Sequence, residues 1–501
     1  MLWFVPFLLF CLPVHAQTTA EKVAAIAEAS PAVQRGSWGI QVLELETGAV
    51  VFERNPANLF IPASTVKLFT TALALRRLGP EHRFRTVVLA DSLPGEDGVL
   101  RSDLRLTGGG DPTLSGRPYP YAEGAAHGDP LGPLHALADQ VVARGVRAVD
   151  GRVIGDDTAY PWEPYPTGWA QEDVIWEYGA PVSALTLHDN AFRLIVRPGG
   201  GSGEPAAIEM RPPIGFYTVR NRVVTIASGS PRAFLDRPLA ASEIDVWGTV
   251  RQGASGRGFL LAIRDPAHYA AWAFAEALKK RGVLVTGEAE ARHRPLMDVP
   301  DYRRAPAPAP RAGEELAARE SPPLAEVLPV VNKASQNLHA ELVLREVGRV
   351  RRNIGSRAAG LDEMKQFLAG IGVTADDCYL EDASGLSRVN LVSPAAAVKL
   401  LAHMHGSEEK DVWLQSLSVG GRDGTLNHRY RSAPARGRVI AKTGTLSHVS
   451  ALAGYIQRAD GRWLAFAVFV NNYGTRSSVA RKFIDDVVGV FLQAELAPEQ
   501  P

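Results

Sequence analysis

A serine and a lysine three residues apart, at the head of an apolar helix, constrain this chain more than any other feature. The stretch reads Phe60-Ile61-Pro62-Ala63-Ser64-Thr65-Val66-Lys67-Leu68-Phe69-Thr70-Thr71-Ala72-Leu73. Residues at this spacing share one face of a helix. Leu68, Phe69, Ala72, Leu73 and Leu75 supply enough apolar surface to bury it. Pro62 and Ala63 suit the helix entry. The pattern holds a hydroxyl and an amine about one turn apart at the mouth of a buried helix. A desolvated lysine can act as the base that makes a serine nucleophilic. The spacing alone is not specific, because Ser407 and Lys410 repeat it in a charged, solvated stretch.

Residues 2–14 are nearly all apolar and lead into Val14-His15-Ala16. This reads as a secretory signal peptide over residues 1–16, although it lacks a basic start. The run is shorter than the ~20 residues a bilayer span requires. The expectation is a periplasmic or secreted protein beginning near Gln17, with room for weak membrane or cell-wall association. Only Cys378 then remains, so no intrachain disulfide is available and stability must come from the core. Acidic and basic residues balance at 54 each, which excludes a nucleic-acid footprint. Twelve histidines include no His-Glu-x-x-His, and there are no paired cysteines, so neither a metal nor another cofactor is expected.

The texture of the chain changes twice. Ile40 to Phe52 alternates around Thr47-Gly48 and predicts a β-hairpin. From about Arg85 to Leu316, short strand-like runs alternate with Gly- and Pro-rich turns, and one helix is predicted from Pro266 to Lys280. This is a largely β insertion of one or two small domains. Arg303 to Pro323 reads as a linker or an extended edge, and helical texture resumes at Leu324. Arg438–Leu446, Ser450–Gln457 and Trp463–Asn471 predict three strands, and a helix from Arg476 to Glu495 closes the chain.

Two further motifs give the Ser64 pattern its meaning. Val331-Asn332-Lys333-Ala334-Ser335-Gln336-Asn337 opens a predicted helix and holds the one Ser-x-Asn of the chain. Lys442-Thr443-Gly444-Thr445 lies on the first C-terminal strand and is the one Lys-Thr-Gly. Taken singly, Ser335 reads as a helix cap and Lys442 as an edge-strand charge. Ser-x-x-Lys, Ser-x-Asn and Lys-Thr-Gly in that order are the signature of penicillin-binding proteins and serine β-lactamases.

With these motifs the chain resembles the D-alanyl-D-alanine carboxypeptidase/endopeptidases of the penicillin-binding protein 4 type, the class C low-molecular-mass group. The long gap between Ser64 and Ser335 is typical of that family. So are Gly108-Gly109-Gly110-Asp111-Pro112-Thr113-Leu114, Gly168-Trp169 followed by Tyr178-Gly179-Ala180-Pro181-Val182-Ser183-Ala184-Leu185, and Asp382-Ala383-Ser384-Gly385-Leu386-Ser387-Arg388. Ala383 departs from the family's usual glycine, with an expected effect on turn geometry alone. The resemblance implies an α+β, β-lactamase/DD-peptidase fold: a five-stranded antiparallel sheet with helices on both faces. The peptidase domain would comprise residues 24–85 and 317–497. Residues 86–185 and 288–316 would form a second domain, with residues 186–287 nested in it as a third.

The chemistry follows from residue types. Peptide cleavage needs a nucleophile, a base, an acid for the leaving amine and a polarised carbonyl. Ser64 attacks. Lys67 serves as base if burial and the charge of Lys442 bring it from a pKa of ~10.4 toward ~7–8. Ser335 relays a proton to the leaving nitrogen with Lys442 behind it, and Asn337 bonds Lys67 and the substrate amide. The resemblance implies an oxyanion hole from the N–H groups of Ser64 and Thr445. It also implies that Thr443 and Gly444, with Lys442, receive the terminal carboxylate of a peptidoglycan stem peptide. It places Arg388 at the charged end of the diamino acid, with Trp169, Glu172, Asp173 and Tyr178 opposite. The other expectation for Arg388 is a surface ion pair with Glu381 or Asp382. β-Lactam antibiotics would be covalent inhibitors. The rivals are a β-lactamase, disfavoured by the insertion, and an inactive wall-binding protein, disfavoured by the intact triple set.

Overall fold

The computed structural model of the chain describes residues 17–239, 241–307 and 312–493. The expected leader and the last residues of the expected terminal helix lie outside these. Six strands form the sheet against which the Ser64 turn packs. Their order is Ser418–Val419, Val439–Leu446, Val449–Gln457, Trp463–Asn471, Ser37–Glu44 and Val50–Arg54. Every pairing is antiparallel. The five expected strands are all present, and the N-terminal hairpin joins the C-terminal three as anticipated. The sixth, Ser418–Val419, is only two residues long and leaves no periodicity to read.

Alternation along the strands explains the layers. Leu452, Ile456, Leu464, Phe466 and Val468 enter one core, which helices Thr19–Ala29 and Ser477–Gln493 cover. Ala451, Ala453, Tyr455, Ala465, Ala467 and Phe469 enter the other. Helices Val66–Leu78, Leu324–Lys333, Asn337–Arg352, Arg357–Gly370 and Pro394–His405 build that second core. Successive strand residues face opposite sides. Both sides are covered, so the central strands are apolar almost throughout. Helix Val66–Leu78 is enclosed by its neighbours, and every residue from Val66 to Leu75 is buried, Lys67 included.

Between Arg85 and Glu320 the chain builds a separate core. A mixed five-stranded sheet runs in the order Ala289–Arg294, Val153–Pro161, Leu104–Thr107, Arg85–Ala90, Glu314–Glu320. The stretch anticipated as a linker or extended edge thus supplies an edge strand, Glu314–Glu320, paired with Arg85–Ala90. Three three-stranded sheets accompany it: the smallest, made of Leu284–Val285, Ala148–Val149 and Val99–Leu100, and two larger ones. One is Thr218–Ile226, Glu243–Arg251 and Ala233–Asp236; the other is Arg257–Ala262, Ala191–Arg197 and Ala207–Arg211. Helix Pro266–Lys279 contributes Ala267, Ala270, Ala271, Phe274 and Leu278 to the shared core. In the Gly108–Leu114 stretch, buried Asp111 accepts hydrogen bonds from Thr113 N and Oγ1, both at 2.7 Å, and from Arg319 on the edge strand. That stretch ties the turn to the sheet. No helix among the described residues is long and apolar enough to cross a membrane.

Candidate active site

Ser64 sits in a single 3-10 turn, Ala63–Thr65, that feeds directly into helix Val66–Leu78. Long helical side chains point back toward the helix N-terminus. Lys67, one turn on, therefore returns its amine to the serine, and its Nζ donates to Ser64 Oγ at 3.1 Å. The same Nζ donates to Asn337 Oδ1 and to the Ser384 carbonyl, each at 2.6 Å. Lys67 is fully buried. Burial brings its pKa down to about 7, against the upward pull of the carboxylates Asp382 and Glu341.

Ser335 and Asn337 reach this centre differently from the expectation. The Ser-x-Asn motif does not lie inside one opening helix. Helix Leu324–Lys333 ends, Ser335 adopts a left-handed φ of 58°, and helix Asn337–Arg352 begins. Gln336, not Ser335, caps the second helix, its Oε1 accepting from Leu338 N at 2.8 Å. The joint frees the Ser335 hydroxyl, and Lys442 Nζ donates to it at 2.9 Å. Asn337 is held from its other end, Nδ2 donating to the Tyr178 carbonyl at 2.8 Å.

Lys442 is buried on strand Val439–Leu446 and also donates to the Thr443 carbonyl at 2.9 Å. Burial drives its pKa well below the ordinary lysine value, with Lys67 as the second cause. The two lysines repel one another, and of the two Lys442 is held the further below its ordinary value. Gly444 allows this strand to close on the Ser64 turn: a Cβ there would lie 2.6 Å from the Pro62 carbonyl oxygen. Thr445 follows, exposed on the same strand. Thr443 Oγ1 donates to Thr425 Oγ1 at 2.8 Å.

The loop from Asp382 to Arg388 forms another wall. Gly385 has a φ of 80°, and a Cβ would lie 1.9 Å from the Ala63 carbonyl oxygen, so only glycine lets the loop meet the Ser64 turn. Arg388 is exposed and makes no ion pair among the described residues. Its Nη1 donates to the Ser447 carbonyl at 3.3 Å. The alternative pairing with Glu381 or Asp382 is absent. Glu381 holds Arg357 instead, and Asp382 is occupied by nearer donors. Trp169 is half-buried, and its Nε1 donates to Asp382 Oδ2 at 2.9 Å. Tyr178 OH donates to Asp173 Oδ1 at 3.1 Å, and Glu172 is exposed beside them. No cluster of three or more His, Cys, Asp or Glu able to hold a metal occurs among the described residues.

The D-Ala-D-Ala carboxypeptidase 3 (S13) family matches residues 19–493. The chain belongs to that family. It is 36% identical over 493 residues to the D-alanyl-D-alanine carboxypeptidase of Actinomadura sp. (strain R39), covering 96% of this chain and 85% of the relative. It is 25% identical over 441 residues to D-alanyl-D-alanine carboxypeptidase DacB of Haemophilus influenzae, covering 87% and 86%. The crystal structure of penicillin binding protein 4 (dacB) from Haemophilus influenzae matches with a TM-score of 0.79 at 23% identity, over 94% of this chain and 99% of that one. The same protein complexed with a novel β-lactam matches with a TM-score of 0.75 at 24% identity, over 94% and 100%. The fold is the β-lactamase/DD-peptidase fold, and the chain is an S13 carboxypeptidase of the penicillin-binding protein 4 type.

Sequence reasoning overlooked four groups in this S13 site. The Ser384 carbonyl and the Asp382 carboxylate lie in a stretch noted for its resemblance, but nothing local marks a carbonyl as a lysine acceptor. Glu341, one helical turn after Asn337, was visible as an acidic residue on a largely apolar helix face. Thr425, in the 3-10 turn Gly424–Leu426, carried no signal.

Proposed function

We propose that this S13 carboxypeptidase hydrolyses D-Ala-D-Ala ends, and peptide cross-links, of peptidoglycan through an acyl-serine on Ser64. One observation carries the reading: a buried lysine, poised near neutrality, within hydrogen-bond distance of a serine hydroxyl. Ser64 Oγ attacks the scissile carbonyl and gives its proton to neutral Lys67. The N–H groups of Ser64 and Thr445 receive the developing oxyanion, where one such donor is worth about 3–4 kcal/mol. Ser335, backed by Lys442, passes a proton to the leaving D-alanine nitrogen. Asn337 keeps Lys67 in line. Thr443 and Gly444 receive the terminal carboxylate on the strand edge. A β-lactam presents the same carbonyl and carboxylate and acylates Ser64. The β-lactam complex of the Haemophilus influenzae protein supports β-lactam binding by analogy.

The division into a peptidase domain of residues 24–85 and 317–497, an inserted domain of residues 86–185 and 288–316, and a nested domain of residues 186–287 belongs to this proposal. So does cleavage after Ala16 and a site of action outside the cytoplasm; N-terminal sequencing of native protein should return Gln17, and Met1 would contradict it. The principal test is incubation with benzylpenicillin followed by peptide mass spectrometry. A lasting adduct on the peptide containing Ser64, absent from Ser64→Ala, is the expected result. An adduct on Ser407, or rapid turnover of penicillin as by a β-lactamase, would sink the assignment. Release of monomers from a cross-linked muropeptide dimer tests the endopeptidase arm separately.

A further inference from the structure

One buried carboxylate beside the base has no part in the steps above. Glu341 lies one turn after Asn337 on helix Asn337–Arg352 and is fully buried. Its Oε1 accepts from the N–H groups of Ala383 at 2.9 Å and Ser384 at 3.0 Å. Its Oε2 is buried without a hydrogen-bond partner. The two amides belong to the turn whose Ser384 carbonyl accepts from Lys67 Nζ at 2.6 Å. One helix therefore grips the base twice: directly through Asn337, and indirectly by fixing Ser384.

A glutamine would make the same two hydrogen bonds without a charge. Leaving a carboxylate oxygen unpaired in an interior is unfavourable. A carboxylate at this point is explained by a use for its charge. Lys67 faces it from the Ser64 helix, Asp382 from the cleft loop and Arg345 from its own helix, while Lys442 faces Lys67 from the sheet. Asp382 already accepts from Gly385 N, Ser387 N, Asn390 Nδ2, Ser384 Oγ and Trp169 Nε1. Burial raises the pKa of Glu341 to about 7, with Asp382 as the second cause, while burial lowers Lys67 to the same region.

We propose that Glu341 is a positioning carboxylate for the base: it holds the turn that aims Lys67 at Ser64, and it supplies the counter-charge when Lys67 becomes an ammonium. The inference rests on the roles assigned to Ser64 and Lys67 above. In that step the Oγ–H bond breaks and its proton moves to the Lys67 lone pair. Oγ bonds to the carbonyl carbon, and the carbonyl π pair moves onto oxygen. A positive charge thus appears at Lys67 as a negative one appears in the oxyanion hole. Lys67 and Glu341 are both fully buried, so a fixed anion acts on the new ammonium with little screening.

The experiment follows benzylpenicillin acylation against pH for wild type, Glu341→Gln and Ser64→Ala. The charge of Glu341 raises the Lys67 pKa, so removing it lowers that pKa. The acid limb of Glu341→Gln should move down by about one pH unit, and its plateau should fall about tenfold. A role confined to holding the turn leaves the limb in place, and an unmoved limb overturns the inference whatever the plateau. Should Glu341→Gln fail to fold, Glu341→Asp sets the charge back by one methylene. Its limb should move down by about half a unit, and an unmoved limb again overturns the inference. A wild type that forms no Ser64 adduct overturns the Ser64 assignment and this inference together. An adduct with an unmoved limb overturns this inference alone.

Discussion

Trp169 Nε1 donates to Asp382 Oδ2 at 2.9 Å, joining a segment of the insertion to the loop that abuts the Ser64 turn. Asp382 also receives Gly385 N, Ser387 N, Asn390 Nδ2 and Ser384 Oγ. The carboxylate is fastened from both sides of the cleft. Removing it strands several buried donors at once, and each costs about 1–3 kcal/mol when left unsatisfied. Asp382→Ala should lower Tm by roughly 5 °C or more and slow penicillin acylation, because the Ser384 carbonyl is no longer held beneath Lys67. Asp382→Asn, which keeps an acceptor, should lose less. Calorimetry showing Asp382→Ala as stable as wild type would refute the fastening role.

The depressed pKa of Lys67 makes two statements about pH. With Lys67 as the proposed base, acylation requires the neutral amine, so its rate should rise with pH through an apparent pKa of about 7. A rate flat between about pH 5 and pH 9 would remove Lys67 as base. The second statement concerns stability. The unfolded lysine keeps its proton up to about 10.5, whereas the folded one releases it at about 7. Between those values the unfolded chain binds the extra proton, so this contribution is complete only above the higher value and is lost as pH falls through the lower one. The Tm of Lys67→Met relative to wild type should therefore increase as pH falls from about 10 to about 7. A difference independent of pH across that window would contradict the burial-driven shift.

The Ser64–Lys67 contact was legible because helical spacing brings the two side chains together. The sheet was legible because both its faces are buried, which leaves long apolar strands. Ser335 was found by its motif, but its setting was not: the break between two helices depends on a left-handed residue that is not glycine. Strand Ser418–Val419 is too short to show alternation. Glu341 and Thr425 act across 42 and 18 residues of sequence on Ala383 and Thr443, and no local pattern encodes such contacts. The alternative ion pair of Arg388 with Glu381 was not decidable from sequence for the same reason, since Glu381 is taken by Arg357 from helix Arg357–Gly370.

Thr425 gives a test of the carboxylate end of the cleft. Its hydroxyl accepts from Thr443 Oγ1. The surrounding turn is anchored by Glu123, which accepts from Gly424 N at 2.7 Å and from Asn427 Nδ2 at 3.0 Å. Thr425→Val keeps the shape and removes the acceptor. If Thr443 orients the substrate carboxylate, KM for an acyl-D-Ala-D-Ala peptide should rise about 2–10-fold, the worth of one neutral hydrogen bond, with kcat little changed. A fall in kcat at constant KM would place Thr425 in the chemical step instead.

Arg388 tests substrate choice. Its guanidinium is exposed, donates to the Ser447 carbonyl at 3.3 Å, and lies on the loop whose other residues are locked by Asp382. Its backbone N–H donates to the Gly168 carbonyl at 3.3 Å, which sets the arginine beside the Trp169 segment. A cation without a carboxylate partner among the described residues can grip an incoming carboxylate through two parallel N–H bonds. The diamino acid of a stem peptide offers such a group at its free end, and Glu172 and Asp173 suit the amine beside it. Arg388→Ala should lower kcat/KM for a stem peptide with a free diamino-acid terminus by about 1.5–3 kcal/mol, the worth of a charged hydrogen bond. It should leave penicillin acylation and a simple acyl-D-Ala-D-Ala dipeptide almost unchanged, because neither reaches that end of the cleft. Arg388→Lys should recover only part of the loss, since an ammonium cannot form the paired bonds. Equal losses on all three substrates would make Arg388 a support for the loop and remove it from the substrate pocket.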